Sequence, residues 1–525
     1  MDRRTVLRGG LAGAGGLAAA SLVSCAPPVD PLPTGPFDCG VASGVHSEDA
    51  VVLWTRFAPG AIGGSVTLRW ELATDATFAR VVASGEGAAT AGNDGCVKVL
   101  AEGLEPATRY WYRFRTDGLV SPIGRTRTLP GPGQDGGPVR LAVASCQDYQ
   151  AGYYPAWRAI ASDDVDAVVH LGDYIYESGG TTPFDVRSDG VGAANDLASY
   201  RSKYRVSRGD PDLAAAHAAH PFAIVWDDHE FVNDYDRVTV AEDAARRRAA
   251  YRAWWEYMPV WPIAGDRIHH GVRWGRLLDL TLIDTRQYRD PPPMLEGEPV
   301  RFGATNARPM KLVHEADRTI LGAAQREWLF DRFSAAQQDG VTWKLLANQV
   351  MISPIRIVDL DEPLLRELDP SLPKNAGVYI NFDDWSGYQW ERNLLTEHLY
   401  AEGVENVGIL TGDIHSFWQS RVLRDIEDQS GPVVAQEFVC GSITSRGLDY
   451  AGDLAPEVAR IVSGTRPGFR FVDFSNRGYG RVTVTPQGAT VEYRSVDALS
   501  RHSTARPLAR FDWAQGTQDV TLTRS

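Results

Sequence analysis

The chain has 525 residues, with 53 Lys and Arg against 67 Asp and Glu and a formal net charge of −14. That length exceeds one small core, so one large catalytic domain and one smaller domain are expected. The acidic balance argues against a general nucleic-acid binder and predicts no nucleic-acid partner, although a bound cation can reverse the field inside an anion-accepting site.

Residues 1–25 read as an export signal. Arg3-Arg4-Thr5-Val6-Leu7-Arg8 is a twin-arginine motif, and the small-residue apolar stretch LAGAGGLAAASLV after it is too short and glycine-rich for a good spanning helix. Leu22-Val23-Ser24-Cys25 has the form of a lipobox, with Cys25 as the acylated mature N-terminus; an ordinary soluble export signal cleaved nearby is the alternative. The twin-arginine translocase carries folded proteins, so an enzyme using it acquires its metal before leaving the cytoplasm. A periplasmic or cell-surface location, with a lipid anchor at Cys25, is the expectation.

Residues 26–36 form a proline-rich tether. From 37 to 130, short runs such as VVLWTRF, SVTLRWELA, CVKVL and TRYWYRFRT alternate with period two between Gly, Asp and Pro turns, predicting a small all-β Ig/fibronectin-like sandwich. Cys39 and Cys96 both fall in it and are candidates for a disulfide in an exported protein. LPGPGQDGG (129–137) is a linker.

The catalytic domain is placed at 138–525. LAVASCQD (141–148), DAVVHLGDYIYE (166–177), AIVWDDHE (223–230), LLDLTLIDTR (277–286), WKLLANQV (343–350) and VGILTGDIH (407–415) are apolar runs that each stop in polar residues. Such runs read as strands buried on both faces, with chemistry at their ends. Residues 241–259 are helical in composition and end at a proline, NLLTEHLYAEGVENVGIL reads as helix, turn and strand, and the tail from Phe469 returns to strand alternation. The segment 359–387 is rich in Pro, Asp and Asn and reads as a loop or lid.

Polar residues gathered at strand ends from distant parts of the chain imply a common site, and their types point to a metal-dependent phosphoester hydrolase. Asp173 follows a glycine at a strand end and is the carboxylate best placed to bridge two metals. Tyr176 reads as an aromatic packed beside its strand or, with Cys146 as partner, as a phenolate ligand to a trivalent ion. Four consecutive ionisable residues, Asp227 to Glu230, cannot all be buried without a metal or pairing. Within that block Asp228 and Asp234 are candidate metal or phosphate contacts, Asn233 a neutral oxygen ligand, and His229 a proton donor to a leaving alkoxide or a hydrogen-bond donor to phosphate. Asp413 and His415 are spaced to present one ligand to each of two metals. Arg286 is either a bidentate phosphate contact or a salt-bridge partner of Asp284 or Asp290, and Asn348 sits at a comparable strand end. His217, His220 and Cys440 are taken as structural. Ser145 and Ser416 lack the turn of a nucleophilic serine.

Through ASCQD, GDYIYE, WDDHEFVND, LIDTRQYR, LANQV and TGDIHSFW the chain resembles the alkaline phosphatase D (PhoD-type) branch of the metallophosphoesterases, and the opening FDCGVASG of the amino-terminal region agrees. The resemblance implies a four-layer α/β/β/α sandwich with an Fe³⁺–Ca²⁺ centre. Cys146, Asp173, Tyr176 and His415 match the Fe³⁺ ligands; Asp173, Asn233 and Asp413 match the Ca²⁺ contacts, with Asp173 bridging. The chain departs from the family at Asp234, where an asparagine is usual. A phosphate-ester substrate and a monomer are expected. The alternatives are a phosphodiesterase or phospholipase D-like enzyme acting on phospholipid or teichoic acid, with Phe382, Trp385, Tyr388 and Trp390 as a lid; a zinc or dimanganese phosphoesterase; and a surface binding lipoprotein without catalysis.

Overall fold

The structure, a computed structural model, describes residues 35–524 apart from 59, 61–63, 181, 296–297, 300–301, 305–316, 360–366, 372–376, 426–427, 429, 448–451, 453 and 465–468. The twin-arginine motif, Cys25 and most of the tether lie outside the described residues.

All six apolar runs are strands or strand ends. Val139–Ala144, Ala167–His170 and Pro221–Ile224 pair in parallel, with Ala142, Val168 and Phe222 in line across them. They form the middle of a ten-stranded sheet, which the antiparallel tail strands Arg477–Val484, Gly488–Val496, Arg506–Ala514 and Val520–Arg524 complete on one side. In a seven-stranded sheet Leu278–Leu282, Trp343–Asn348, Val407–Thr411 and Val433–Cys440 run parallel to one another. Side chains of both sheets share one core: Leu141 and Val482 belong to the first, Leu280, Leu345 and Phe438 to the second. Helices Pro155–Ser162, Leu197–Gly209, Pro211–Ala219 and Ala244–Tyr257 contribute to that core, while Leu329, Phe333, Leu395 and Leu399 of Ala323–Gln338 and Gln389–Ala401 build a second core with Leu346 and Ile409. The result is the layered α/β arrangement expected.

The amino-terminal region is β-rich, as its alternation requires, and it shares a sheet with the catalytic region. Val41–Gly44 pairs in parallel with Pro221–Ile224, so this strand, with Val51–Arg56 and Cys96–Ala101, extends the catalytic sheet. A five-stranded sheet built on Ser65–Ala73 and Arg109–Thr116 packs Leu68, Leu72, Tyr112 and Phe114 against Val41, Val51 and Leu53. One layer of the sandwich is therefore also part of the catalytic layer, which alternation within 37–130 alone does not reveal.

The candidate disulfide is not formed in this structure. Cys39 and Cys96 are buried free thiols. The strand Val51–Arg56 lies between Val41–Gly44 and Cys96–Ala101 and pairs with both, through Thr55 to Val41 and to Val97. Cys440 is a buried thiol packed beside Gly480.

Phe382, Trp385 and Tyr388 of the expected lid turn inward, and Trp390 is half-buried. Trp385 and Tyr388 are fully buried in the second core, Trp385 Nε1 donates to Asn348 Oδ1 at 3.1 Å, and the Tyr388 hydroxyl donates to the Asp290 carbonyl at 2.7 Å. Trp385 and Tyr388 are packing residues of that core.

A β-carbon at Gly44 would stand 1.8 Å from the Pro259 carbonyl oxygen. Gly44→Ala must separate the first strand from the chain that follows helix Ala244–Tyr257. A loss of about 1–3 kcal/mol is expected for such overpacking, read as a lower urea midpoint of one shared transition. An unchanged midpoint, or separate unfolding of the amino-terminal region, would refute the shared sheet.

Candidate metal centre

The parallel strands of each sheet end at one shared edge. Gly412 N donates to the Gln349 carbonyl at 3.0 Å, Ile443 N to the Ser145 carbonyl at 3.0 Å, and Gln349 Nε2 to the Trp226 carbonyl at 3.0 Å. These contacts bring the turns after both sets of strands into register. Five of the expected site residues there have positive φ: Cys146 (57°), Asp173 (54°), Asp234 (57°), Asp413 (62°) and His415 (54°). Such backbone is unfavourable for residues other than glycine and gathers where surroundings impose it, commonly at functional sites. Gly172 (φ 107°) serves close approach as well, since a β-carbon there would lie 2.4 Å from Asp227 N.

Ligand atoms of Cys146, Asp173 and His415 fall within 4.8 Å of one another; so do those of Asp173, Asp228 and His229, and those of Asp227, Asp228 and Asp413. Asp173 belongs to two of these groups, as a bridging carboxylate must. The Tyr176 hydroxyl joins the first, donating to Asp173 Oδ2 at 2.9 Å, 3.2 Å from His415 Nε2, and accepting from Ser445 Oγ at 2.6 Å. His415 Nδ1 is 2.8 Å from the Arg446 carbonyl, which fixes the tautomer and leaves Nε2 facing the cluster. His229 Nδ1 is 2.6 Å from Glu177 Oε2, and its ring centroid lies 4.1 Å from that of Tyr176.

The other expected residues are placed less centrally. Asn233 donates its backbone N–H to Glu177 Oε1 at 3.1 Å, and the residue is exposed. Asp234 N donates to Asp228 Oδ2 at 2.7 Å. Asn348 is fully buried, and its amide serves the Val350 carbonyl, Thr411 and Trp385 rather than the cluster. Arg286, fully buried, bridges to neither Asp284 nor Asp290 through its side chain. It pairs with Asp227, with Asp383 at 2.5 Å and with Asp413 at 2.8 Å; Asp284 receives only its backbone N–H.

Several residues that shape the site carry no sequence assignment. Glu230 accepts three backbone N–H groups at the converging turns, from Asp173 at 3.0 Å, Tyr174 at 2.6 Å and Asp227 at 2.8 Å. Glu177 holds His229 and Asn233, and Asp383 pairs with Arg286 and with Arg289 at 2.7 Å. Glu177 and Glu230 stand inside motifs already read as functional. Asp383 follows the short strand Gly377–Ile380, inside the segment read as a loop or lid, and the sequence alone assigns it no role. His217 and His220 are buried structural residues, bonded to the Tyr174 hydroxyl (2.8 Å) and the Ile160 carbonyl (2.9 Å). Ser145 and Ser416 bond backbone carbonyls.

The electrostatics call for cations. Burial, then neighbouring carboxylates, hold Asp173 well above the usual carboxylate range despite His229. Burial raises Asp227 to about 8 against the pull of Arg286, Glu230 to about 8, and Asp413 to about 7. Burial also raises the Cys146 thiol and the Tyr176 phenol, and lowers His415 to about 4. Burial works to raise Asp228 and Asp383, but Arg286 and His229 hold Asp228 low, and Arg289 and Arg286 hold Asp383 low. Burial works to lower His229, but Asp173, Asp228 and Glu177 leave it well above its ordinary value. Asp227 Oδ2 is buried with no hydrogen-bond partner. Crowded acids of this kind, with a thiol, a phenol and a neutral imidazole among them, fit positive ions and become ligands when those ions bind.

Two mixed sheets meeting over such a donor set define a metal-dependent phosphoester hydrolase. Residues 141–493 match the model of the PhoD-like phosphatase, and residues 24–130 that of the PhoD-like phosphatase N-terminal domain; the chain belongs to the PhoD-like phosphatase family. It is 35% identical over 480 residues to alkaline phosphatase D of Bacillus subtilis (strain 168), covering 87% of this chain and 77% of that protein. A solved structure of PhoD superposes with a TM-score of 0.82 at 31% identity, over 93% of this chain and 92% of the other. The purple acid phosphatase PPD1 of yellow lupin shares the fold alone, with a TM-score of 0.53 at 12% identity over 90% and 73% of the two chains.

Glu230→Gln places an NH₂ against backbone N–H donors, so at least one of three buried donors loses its acceptor. The expected loss is about 1–3 kcal/mol, with metal per protein falling alongside. Wild-type stability and metal content together would remove Glu230 from this role.

Proposed function

We propose that the chain hydrolyses phosphate esters at an Fe³⁺–Ca²⁺ pair. Cys146, Asp173, Tyr176 and His415 hold the iron, Asp173, Asn233 and Asp413 hold the calcium, and Asp228 and Asp234 stand beside them. The observation that carries this reading is the Tyr176 hydroxyl lodged between Asp173 and His415 in the cluster that includes Cys146. Phenolate and thiolate together favour a trivalent, redox-capable ion over Zn²⁺, Mg²⁺ or Mn²⁺. When bound, the ions neutralise phosphate charge and make water a nucleophile near neutral pH.

Asp173, which belongs to two of the donor groups, would serve both ions. His229, kept cationic by Asp173, Asp228 and Glu177, offers Nε2 to the leaving oxygen and donates a proton to the departing alkoxide. Glu177 orients that ring through Nδ1. Arg286 is held by carboxylates on all three nitrogens, so it first positions Asp227 and Asp413 and meets phosphate only by exchanging Asp383 for it. No serine is needed as nucleophile. Export by the twin-arginine translocase, with a lipid anchor at Cys25, fits calcium use outside the cytoplasm. Paired rates on a nitrophenyl monoester and the corresponding diester separate phosphatase from phosphodiesterase action.

Protein purified without added metal is expected to contain iron and calcium and to absorb in the visible through thiolate- or phenolate-to-iron charge transfer. Cys146→Ala loses iron and colour; a coloured, iron-replete variant would sink the assignment. Asp173→Asn lowers turnover by about 10³-fold or more, the several kcal/mol a bridging ligand supplies, with the fold retained by circular dichroism. A variant keeping most of its turnover would take Asp173 out of the bridging position.

A further inference from the structure

The surface changes character just past helix Ala244–Tyr257. Residues 261–265, Trp-Pro-Ile-Ala-Gly, are all exposed, Trp261 at 36% and Ile263 at 49%. A tryptophan and an isoleucine held side by side in water present apolar surface that a partner can cover. Trp261 and Pro262 also wall an open groove of about 510 Å³, shared with Asn93, Cys96, Lys98 and Trp255. Around this loop the charge runs opposite to that of the chain, which carries −14 in all. Arg248, Arg252 and Glu256 stand four apart along one face of the helix. Arg252 and Arg201 share Glu256, at 2.9 and 2.7 Å; Arg205 and Arg56 share Asp94, and Arg56 also takes Asp38. Five arginines thus meet three carboxylates, and Arg248 is exposed with no ion pair among the described residues.

The chain enters the fold on the same side. Ala58 N donates to the Pro36 carbonyl at 2.7 Å and Phe57 N to the Gly95 carbonyl at 2.9 Å. The Gly92 carbonyl accepts from Arg201 and Arg252, at 2.7 and 2.6 Å. Residues 92–98 therefore link the first described residues to the arginines and to the groove. With the anchor at Cys25, ten residues lie between the lipid and Gly35, and they reach at most about 35 Å. An anchor on so short a lead keeps this face beside the bilayer.

We infer that the loop 261–263 and the arginine face of helix Ala244–Tyr257 dock on an anionic lipid surface. Tryptophan suits the boundary between headgroups and acyl chains, and arginines beside it attract acidic lipids. Elsewhere the acidic chain is repelled by such a surface, so the contact is made in one orientation. The inference rests on the anchored reading of Cys25 for its distance limit alone; the loop and the arginines act without the lipid.

The chain from residue 25 onward, carrying Cys25→Ser, keeps every described residue and lacks the lipid, so vesicle sedimentation reads the face and not the anchor. It is expected to bind vesicles of phosphatidylcholine with an equal part of phosphatidylglycerol about 10-fold or more tightly than phosphatidylcholine alone. Trp261→Ser with Ile263→Ser lowers binding to the mixed vesicles by about 10-fold or more, and Arg248→Glu lowers it by about 10-fold, each with an unchanged circular dichroism spectrum. No binding to either vesicle, equal binding to both, or binding unmoved in either variant overturns the proposal. So does retention on immobilised polyglycerol phosphate without binding to vesicles, which marks an anionic polymer as the partner. The mass of the exported protein reports separately whether Cys25 carries lipid.

Discussion

Everything in this molecule answers to one electrostatic problem, that of holding more carboxylates together than water would tolerate at the edge where two sheets meet. Asp173, Asp227, Asp228, Glu230 and Asp413 are within reach of one another and almost fully withdrawn from solvent, apart from the half-buried Asp413. Backbone N–H groups carry part of the load, with Glu230 alone taking three. Arg286 and Arg289 carry more, and the remainder is left for metal ions. The strained turns follow from the same demand. A strand end that continued in extended backbone would send alternate side chains to opposite faces, whereas positive φ at Cys146, Asp173, Asp413 and His415 turns each one inward directly after its strand.

The sheets serve this edge by being rigid. Their parallel strands are buried on both faces, so a shift in register would expose apolar side chains, and the strand ends are thereby pinned. Continuity of Val41–Gly44 with Pro221–Ile224 extends that rigidity into the amino-terminal region. The turn after Ile224, which carries Asp227, Asp228 and His229, is thus braced from a segment nearly two hundred residues upstream.

Most of this was legible in the chain because the strong signals are local. Apolar runs that stop in Asp, His, Asn, Arg or Cys marked six strand ends, and the polar residues just past the apolar part of most runs were the ones found converging. Asn348 is the exception: it ends a strand as the others do, yet its amide is consumed by Trp385 and Val350. A run of letters records where a strand stops and not which way the next side chain turns. The same limit hid Arg286's partners. Asp284 and Asp290 are near in sequence, but burial drew the guanidinium to Asp227, Asp383 and Asp413, which reach it only through tertiary structure.

Asp383 shows what such a reading lacks most. It stands in a stretch with no periodicity, between Phe382 and Trp385, whose burial ties the stretch to the second core. Trp385, anchored through Asn348, fixes the turn, and the turn delivers a carboxylate to two arginines at once. Asn348 and the aromatics therefore bear on the site indirectly: they set where Asp383 lies, Asp383 sets where Arg286 lies, and Arg286 holds apart Asp227 and Asp413, whose negative charges would otherwise repel. The packing residues first suspected of forming a lid act instead as the footing of the charge network.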